Sequence, residues 1–409
     1  MNVLHVVDKM DPERGGVCQA VRTIAYGLDN HGVKSDVVSL DSPDASFLVN
    51  DSFTIHALGP ANNPWSYSPN LMPWLYKNIS DYDVVIAHGL WQYPSYAVNK
   101  TLTKICASSN NRKNKLPKLY IMPHGMLDPY FQKAKGRKLK ALRNVLYWKF
   151  IEGNVINNAH GLLFTCEAER QLAHMPFKPY IPKRELVVGL GVETPPPFVA
   201  EMEISFFERC PQLKNRSYLL YLSRIHEKKG VDILLKAYSK LKNFKKENGE
   251  TLDNFPKLVI AGPGLETDYG KKILGIVATD VLLKDHVYFP GMLKGAGKWG
   301  AFYGCDAFIL PSHQENFGIA VVEALACGKP VLISNQVNIW NEIQEAGAGF
   351  VENDTLEGTY KMLETFVNLN QDGKEKMNEN AKEAFEIFFA VGPSANRLFK
   401  TIFPNDINL

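Results

Sequence analysis

Short runs rich in Val, Ile and Leu alternate along the chain with longer stretches of helical character. In the first half they fall at 3–7, 37–40, 84–87, 119–122 and 162–165. In the second they fall at 219–222, 258–261, 287–289, 307–310, 331–333 and 349–351. Runs apolar on both faces are what a parallel sheet covered by helices requires. Their alternation with helices predicts right-handed βαβ units. The expected fold class is therefore α/β: two doubly wound, Rossmann-like domains facing each other across a cleft, with ligands outside the carboxyl ends of the strands.

The pattern breaks between the two sets. Gly189-Leu-Gly-Val-Glu-Thr-Pro195-Pro-Pro-Phe198 carries consecutive prolines that continue neither a helix nor a central strand, which makes it the linker. The expected domains are 1–195 and 196–389. At 409 residues the chain is too long for one ordinary core. A hydrophobic fraction of 45% and a charged fraction of 22% are those of a soluble globular protein. The net charge of +3 gives no bulk argument for nucleic acid, so an anionic partner must meet a local patch. Cys18, Cys106, Cys166, Cys210, Cys305 and Cys327 are scattered without a Cys-x-x-Cys, a pattern of reduced thiols. The start, Met1–Asp8, reads as a first strand rather than a signal peptide, and no run is long enough to span a bilayer. The expected localisation is cytoplasmic.

Chemistry concentrates after the strands. Glu315-Asn-Phe-Gly-Ile-Ala-Val-Val-Glu323 follows the strand ending at Leu310 and predicts a turn and then a helix. Its carboxylates are eight residues apart and share roughly one helix face, while the amides near Asn316, Phe317 and Gly318 suit an anion. Carboxylates accept from hydroxyls, so the pattern fits a ligand with both sugar hydroxyls and phosphates. Ser223-Arg224-Ile-His-Glu-Lys-Lys229-Gly230 follows the strand 219–222, where a guanidinium and an ammonium can converge on a diphosphate. In the first half, Arg14-Gly15-Gly16 precedes a helix at 17–28, and Pro123-His124-Gly125 places an imidazole at a strand end. His88 occupies an analogous strand end and is a weaker candidate for the acceptor side.

Taken with Ala261-Gly262-Pro-Gly264 and Pro290-Gly-Met-Leu293, these motifs resemble the retaining GT-B glycosyltransferases of family 4, the glycosyl transferases group 1, over nearly the whole chain. The resemblance implies transfer of a hexosyl group from a UDP- or GDP-sugar to an acceptor hydroxyl. Retention of configuration, no cofactor and no protein-bound metal are part of it. It carries the donor sugar and diphosphate to Glu315 and to the amides of Asn316, Phe317, Gly318 and Ile319, the ribose to Glu323, and the diphosphate charge to Arg224 and Lys229. It also places Gly15 and Gly16 at the diphosphate, His124 at the donor sugar, and Gly262, Met292 and Leu293 near the base. A final helix at about 390–409 is expected to cross back onto the first, acceptor-side domain. The Pro-His-Gly-Met-Leu-Asp wording points to surface polysaccharide or glycolipid synthesis, with a lipid-linked or saccharide acceptor.

One segment suggests where such an acceptor would come from. Lys133, Lys135, Arg137, Lys138, Lys140, Arg143 and Lys149 form a basic stretch without an acid, in which Leu139, Leu142, Leu146 and Phe150 recur at helical spacing. Such a helix either turns its apolar stripe to the core or rests on an anionic membrane. Two motifs are set aside. Asp81-Tyr82-Asp83 precedes its strand and reads as a turn rather than a metal site, and Gly295-Ala-Gly-Lys-Trp-Gly300 lies too late for a dinucleotide fingerprint. Rival readings are a sugar-nucleotide epimerase of GT-B-like fold and a non-catalytic sugar-nucleotide binding protein.

Overall fold

The structure, a computed structural model, describes residues 1–12, 15–108, 116–133, 138–252 and 255–404. Arg14, Lys135, Arg137 and the end of the expected crossing helix (405–409) lie outside them. The chain forms two compact units, 1–191 with 391–409, and 192–390.

The first unit holds a seven-stranded parallel sheet of β1 (Asn2–Val6), β2 (Lys34–Ser39), β3 (Thr54–Ala57), β4 (Val84–His88), β5 (Lys118–Met122), β6 (Gly161–Phe164) and β7 (Glu185–Val187). Their order is β3-β2-β1-β4-β5-β6-β7, so the direction of winding reverses between β1 and β4. Its central strands are buried on both faces, with Leu4, Val6, Val85, Ala87 and Ile121 in one apolar cluster. This double burial is the reason they read as continuous apolar runs. The helix Val391–Ile402 packs on Gly16–Asp29 within this unit. A Cβ at Gly27 would lie 2.7 Å from the Cβ of Ala395, so glycine permits that close approach.

The second unit holds a six-stranded parallel sheet of β8 (Tyr218–Leu222), β9 (Lys257–Ala261), β10 (Val287–Gly291), β11 (Ala307–Leu310), β12 (Val331–Ser334) and β13 (Gly349–Glu352). Its order is β10-β9-β8-β11-β12-β13, with the reversal between β8 and β11. In open sheets of this kind the crevice beyond such a reversal is where ligands bind.

Edge strands β3 and β7 do not stand out in the sequence. Both are short and half-buried, with Thr54, His56 and Glu185 among their residues, so neither shows a buried strand's apolar run. Asp81-Tyr82-Asp83 is a turn. Ile79–Asp81 form a 3₁₀ turn, and the Asp83 carboxylate accepts the Asn2 amide at 3.0 Å. Gly295–Gly304 is a helix packed on Ala200–Phe207.

Candidate active site

The loops that follow β8 and β11 are fastened backbone to backbone. The His313 amide donates to the Lys228 carbonyl at 2.8 Å, and the Ser312 hydroxyl to the same carbonyl at 3.1 Å. Gly230 adopts φ +71°, and a Cβ there would sit 2.1 Å from the Pro311 carbonyl oxygen. Any side chain would force the two loops apart. The same constraint acts one strand over, where a Cβ on Gly262 would overlap the Ser223 carbonyl.

This fastening brings Lys229 to Glu315. Their side chains form an ion pair, with Lys229 buried and Glu315 partly so. Arg224 is exposed and has no recorded side-chain partner among the described residues. Glu315 is held by its backbone, whose amide donates to Gln336 at 2.9 Å and whose carbonyl accepts from Asn338 at 3.0 Å. Gly318 follows at φ +79° as the N-cap of the helix Ile319–Ala326, which has no side-chain cap. The first amides of that helix have no carbonyl behind them to bond, so the tip is open to an anion. Phe317 is buried against Phe389, with ring centroids 5.9 Å apart, and so offers its backbone rather than its ring.

Glu323 lies on the second turn of this helix and pairs with Lys298 at 2.7 Å. Burial raises its pKa above the usual carboxylate range, and Lys298 pulls the other way. Lys298 also sits over the Trp299 ring at 4.2 Å. It was not singled out because it belongs to the discounted Gly295–Gly300 string. Only the tertiary packing of its helix brings it to Glu323. Gly262 follows β9, its amide donating to the Gly291 carbonyl at 2.8 Å, while Met292 is exposed and Leu293 buried just beyond β10.

In the first unit Gly15 holds φ +104°, and a Cβ there would meet nothing within 4 Å. Its conformation, not crowding, calls for glycine. Gly16 opens the helix Gly16–Asp29, which has no side-chain cap. His124 follows β5 at φ +51°, a left-handed position that a histidine rarely takes. Its Nε2 lies 3.0 Å from His88 Nδ1. His88 is buried and its Nε2 lies 3.0 Å from His5 Nδ1. Both ring nitrogens of His88 are thus committed to neighbouring histidines.

A pocket of about 410 Å³ opens beside this chain, lined by Asp8, Lys9, Trp91, Gln92, Met126 and Arg143 among others. Gln92 donates to the Asp8 carboxylate at 3.0 Å and to the Ser66 hydroxyl at 3.1 Å. Trp91 stands at φ +69°, with its indole N–H spent on the Met126 carbonyl at 3.3 Å and its ring packed against Phe177, centroids 5.1 Å apart. Of these lining residues only Arg143 was singled out in the sequence, and for its charge, because the set is drawn from the loops after three different strands and from the helix Lys138–Tyr147.

The basic helix spans Lys138–Tyr147. Its apolar stripe does not face the core: Leu139 is 85% exposed and Phe150 69%, with Leu142 and Leu146 also exposed. The buried side of the segment carries Asn144 and Trp148 instead. Among the described residues no helix is long and apolar enough to cross a membrane, and no group of three His, Cys, Asp or Glu is placed to hold a metal ion. The six cysteines are free thiols, with only Cys106 exposed.

Two parallel Rossmann-like units with these sites define the GT-B fold. Residues 205–384, nearly all of the second unit, match the family described as Glycosyl transferases group 1. A glycosyltransferase from Rickettsia africae is similar in structure at 17% identity, covering 99% of each chain with a TM-score of 0.74. Anabaena HepE, solved in complex with UDP and glucose, is similar at 18% identity, covering 99% of this chain and 100% of that one with a TM-score of 0.69. An uncharacterized glycosyltransferase of Methanocaldococcus jannaschii is 29% identical over 135 residues, 33% of this chain and 31% of that protein. The match thus spans about a third of that relative's length.

Proposed function

We propose that this protein transfers a hexosyl group from a nucleoside-diphosphate sugar to an acceptor hydroxyl, with retention of anomeric configuration and without a protein-bound metal. The observation that carries the reading is the paired charge at the order reversal of the second sheet. Lys229–Glu315 and Lys298–Glu323 lie beside an uncapped helix tip. Glu315 neutralises Lys229. A diphosphate takes over that ammonium, together with Arg224 and the tip amides, and frees Glu315 to accept from sugar hydroxyls. Glu323 then receives the ribose hydroxyls, and the loop ends at Gly262, Met292 and Leu293 receive the base. HepE's complex with UDP and glucose makes a uridine donor the first to try.

In the reaction the bond from the anomeric carbon to the diphosphate oxygen breaks, and its electron pair leaves with the nucleotide. The acceptor oxygen forms the new bond and gives up its proton, which the departing phosphate oxygen accepts on the same face. Negative charge grows on the leaving group, where preorganised donors act most strongly. His124 serves as a hydrogen-bonding group toward the transferring sugar, with Gly15 and Gly16 at the diphosphate.

For the acceptor, the exposed leucines of 138–147 together with Lys138, Lys140, Arg143 and Lys149 support contact with an anionic membrane and hence a lipid-linked acceptor in surface polysaccharide or glycolipid synthesis. Release of UDP against GDP from a panel of donors, with and without lipid-linked saccharide, tests the whole reading. An altered sugar nucleotide from donor alone would establish an epimerase, and binding without any turnover a non-catalytic protein.

A further inference from the structure

His5, His88 and His124 come from three neighbouring strands of the first sheet: His5 lies within β1, His88 ends β4, and His124 follows β5. Their rings follow one another with centroids 5.2 Å apart at both steps and planes inclined by 30° and 23°. Two N···N contacts of 3.0 Å join them, His5 Nδ1 to His88 Nε2 and His88 Nδ1 to His124 Nε2. Burial keeps all three uncharged near neutrality. It pulls His5 down to about 3 and His124 to about 4, and it lowers His88 well below the ordinary value, with its two neighbours adding to the effect.

A neutral imidazole has one N–H and one lone pair. Each N···N contact needs one proton between its two nitrogens. Three neutral rings carry three protons, and two of these occupy the contacts. His88 has a single proton, so it donates at one contact and accepts at the other, and the chain runs one way. The third proton therefore sits at one end, on His5 Nε2 or on His124 Nδ1.

The ends differ. Among the described residues His5 Nε2 is buried with no partner. His124 is partly exposed, and among the described residues its Nδ1 is neither a buried orphan nor hydrogen-bonded. A buried N–H without an acceptor is the costlier defect, since a donor stripped of water loses its hydrogen bond outright. The proton goes to the open end.

We infer that His5 and His88 are positioning residues that hold His124 as its Nδ1–H tautomer, so that His124 offers a hydrogen-bond donor, not a base, to whatever meets its open edge. What meets it rests on the proposed function, where it is an oxygen of the transferring sugar. The tautomer does not rest on it. The backbone at His124, in the left-handed region, is set for this presentation rather than for local comfort.

The test is a long-range ¹H–¹⁵N correlation spectrum of the full chain labelled in its imidazoles, recorded near pH 7.5. The expected result is a protonated Nδ1 and a bare Nε2 on His124, with the same pattern on His88 and His5. A protonated Nε2 on His124 would overturn the inference, whatever the activity of the protein. His5→Phe leaves His88 Nε2 as the buried end, where a proton would again be an N–H without an acceptor, so the single tautomer is expected to persist. In His5→Gln the side-chain carbonyl can accept from His88 Nε2–H as readily as the amide can donate to it, and His88 and His124 are expected as tautomer mixtures. Equal spectra from the two variants would mean that His5 fills space and directs nothing. If His5→Phe does not fold, the wild-type and His5→Gln spectra decide the matter. A wild-type protein with the expected tautomer but no nucleotide release from any donor would sink the proposed function and leave the histidine chain standing.

Discussion

At the order reversal of the first sheet the polar groups are three uncharged imidazoles from β1, β4 and the loop after β5. At that of the second they are two lysine–glutamate pairs from the loop after β8, the turn and helix after β11, and the helix Gly295–Gly304. The strand orders match through six strands. The fold therefore supplies a place, and the side chains decide what it can hold. Paired charges can exchange partners when a diphosphate arrives, because a lysine leaves one carboxylate only for a stronger anion. Neutral imidazoles have no charge to exchange, and their contribution is a fixed direction of hydrogen bonding. In the proposed function the difference gives charge compensation to the second unit and orientation to the first.

The largest expected break in that contrast is at Lys229. Lys229→Ala removes the buried ammonium and strands the Glu315 carboxylate, and it should lower the transfer rate by about 10²-fold, the scale for losing one preorganised donor. Glu315→Ala should lower it by at least about tenfold. Steady-state nucleotide release measures both, and near-normal turnover in the two variants would falsify the charge site. Glu323→Ala comes next. In the proposed function its target is the ribose, held alike before and during reaction, so KM for the donor should rise about tenfold with kcat little changed.

Acid separates the units by stability. Burial lowers His5, His56, His88, His124 and His160 in the first unit, and in the second His286 alone is lowered among the described residues. A histidine kept neutral by the fold contributes stability that is fully present above its unfolded value near 6.5. That contribution is lost as pH falls toward the folded values of about 3 to 4 at His5 and His124, because the unfolded chain binds the protons first. The first unit should therefore open before the second between pH 6.5 and 4. Hydrogen exchange followed by mass spectrometry, corrected for intrinsic rates, reads the two separately. Simultaneous opening would erase the distinction drawn here. A separate effect is expected at the exposed basic helix: Lys138→Glu with Lys140→Glu should weaken binding to anionic vesicles, read by sedimentation, about 30-fold, about 1 kcal/mol being lost per basic residue near the surface. Binding unchanged by these substitutions would remove the membrane from the account.

Much of this was legible in the chain because buried parallel strands and strand-end loops leave local signals. Val84–Ala87 and Ala307–Leu310 are apolar on both faces, and Glu315 to Glu323 sit in one short string. What escaped depends on partners distant in sequence. His5 sits inside an apolar run where it reads only as an interruption, and its partner lies 83 residues on. Lys298 meets Glu323 across 25 residues from a helix whose glycines drew the eye. Leu139, Leu142 and Leu146 show the other limit. Helical spacing tells which residues share a face, but whether anything covers that face is decided elsewhere in the fold.

The smallest effect concerns Glu152, a buried carboxyl in the first unit that belongs to neither the histidine chain nor the charge pairs. Its Oε2 lies 3.2 Å from the Trp91 amide and its Oε1 3.2 Å from the Ser95 hydroxyl, which is itself 3.2 Å from the Gln92 carbonyl. Burial raises its pKa to about 8, so the folded protein keeps it protonated at neutrality. In that form it donates to Ser95, Ser95 donates to Gln92, and the other oxygen accepts from Trp91, so each group has a partner. The unfolded carboxyl ionises near 4.5. Its contribution is therefore fully present below that pH and is lost as pH rises toward 8, opposite in sign to the histidines. Glutamine reproduces the protonated arrangement, with its amide N–H toward Ser95 and its carbonyl toward Trp91, and it cannot ionise. Glu152→Gln should accordingly leave Tm nearly unchanged at pH 5 and raise it by about 2–4 °C at pH 8. A fall in Tm at pH 8 would mean that the carboxylate is held ionised, and that the first unit's reversal point is not the uncharged counterpart of the second's.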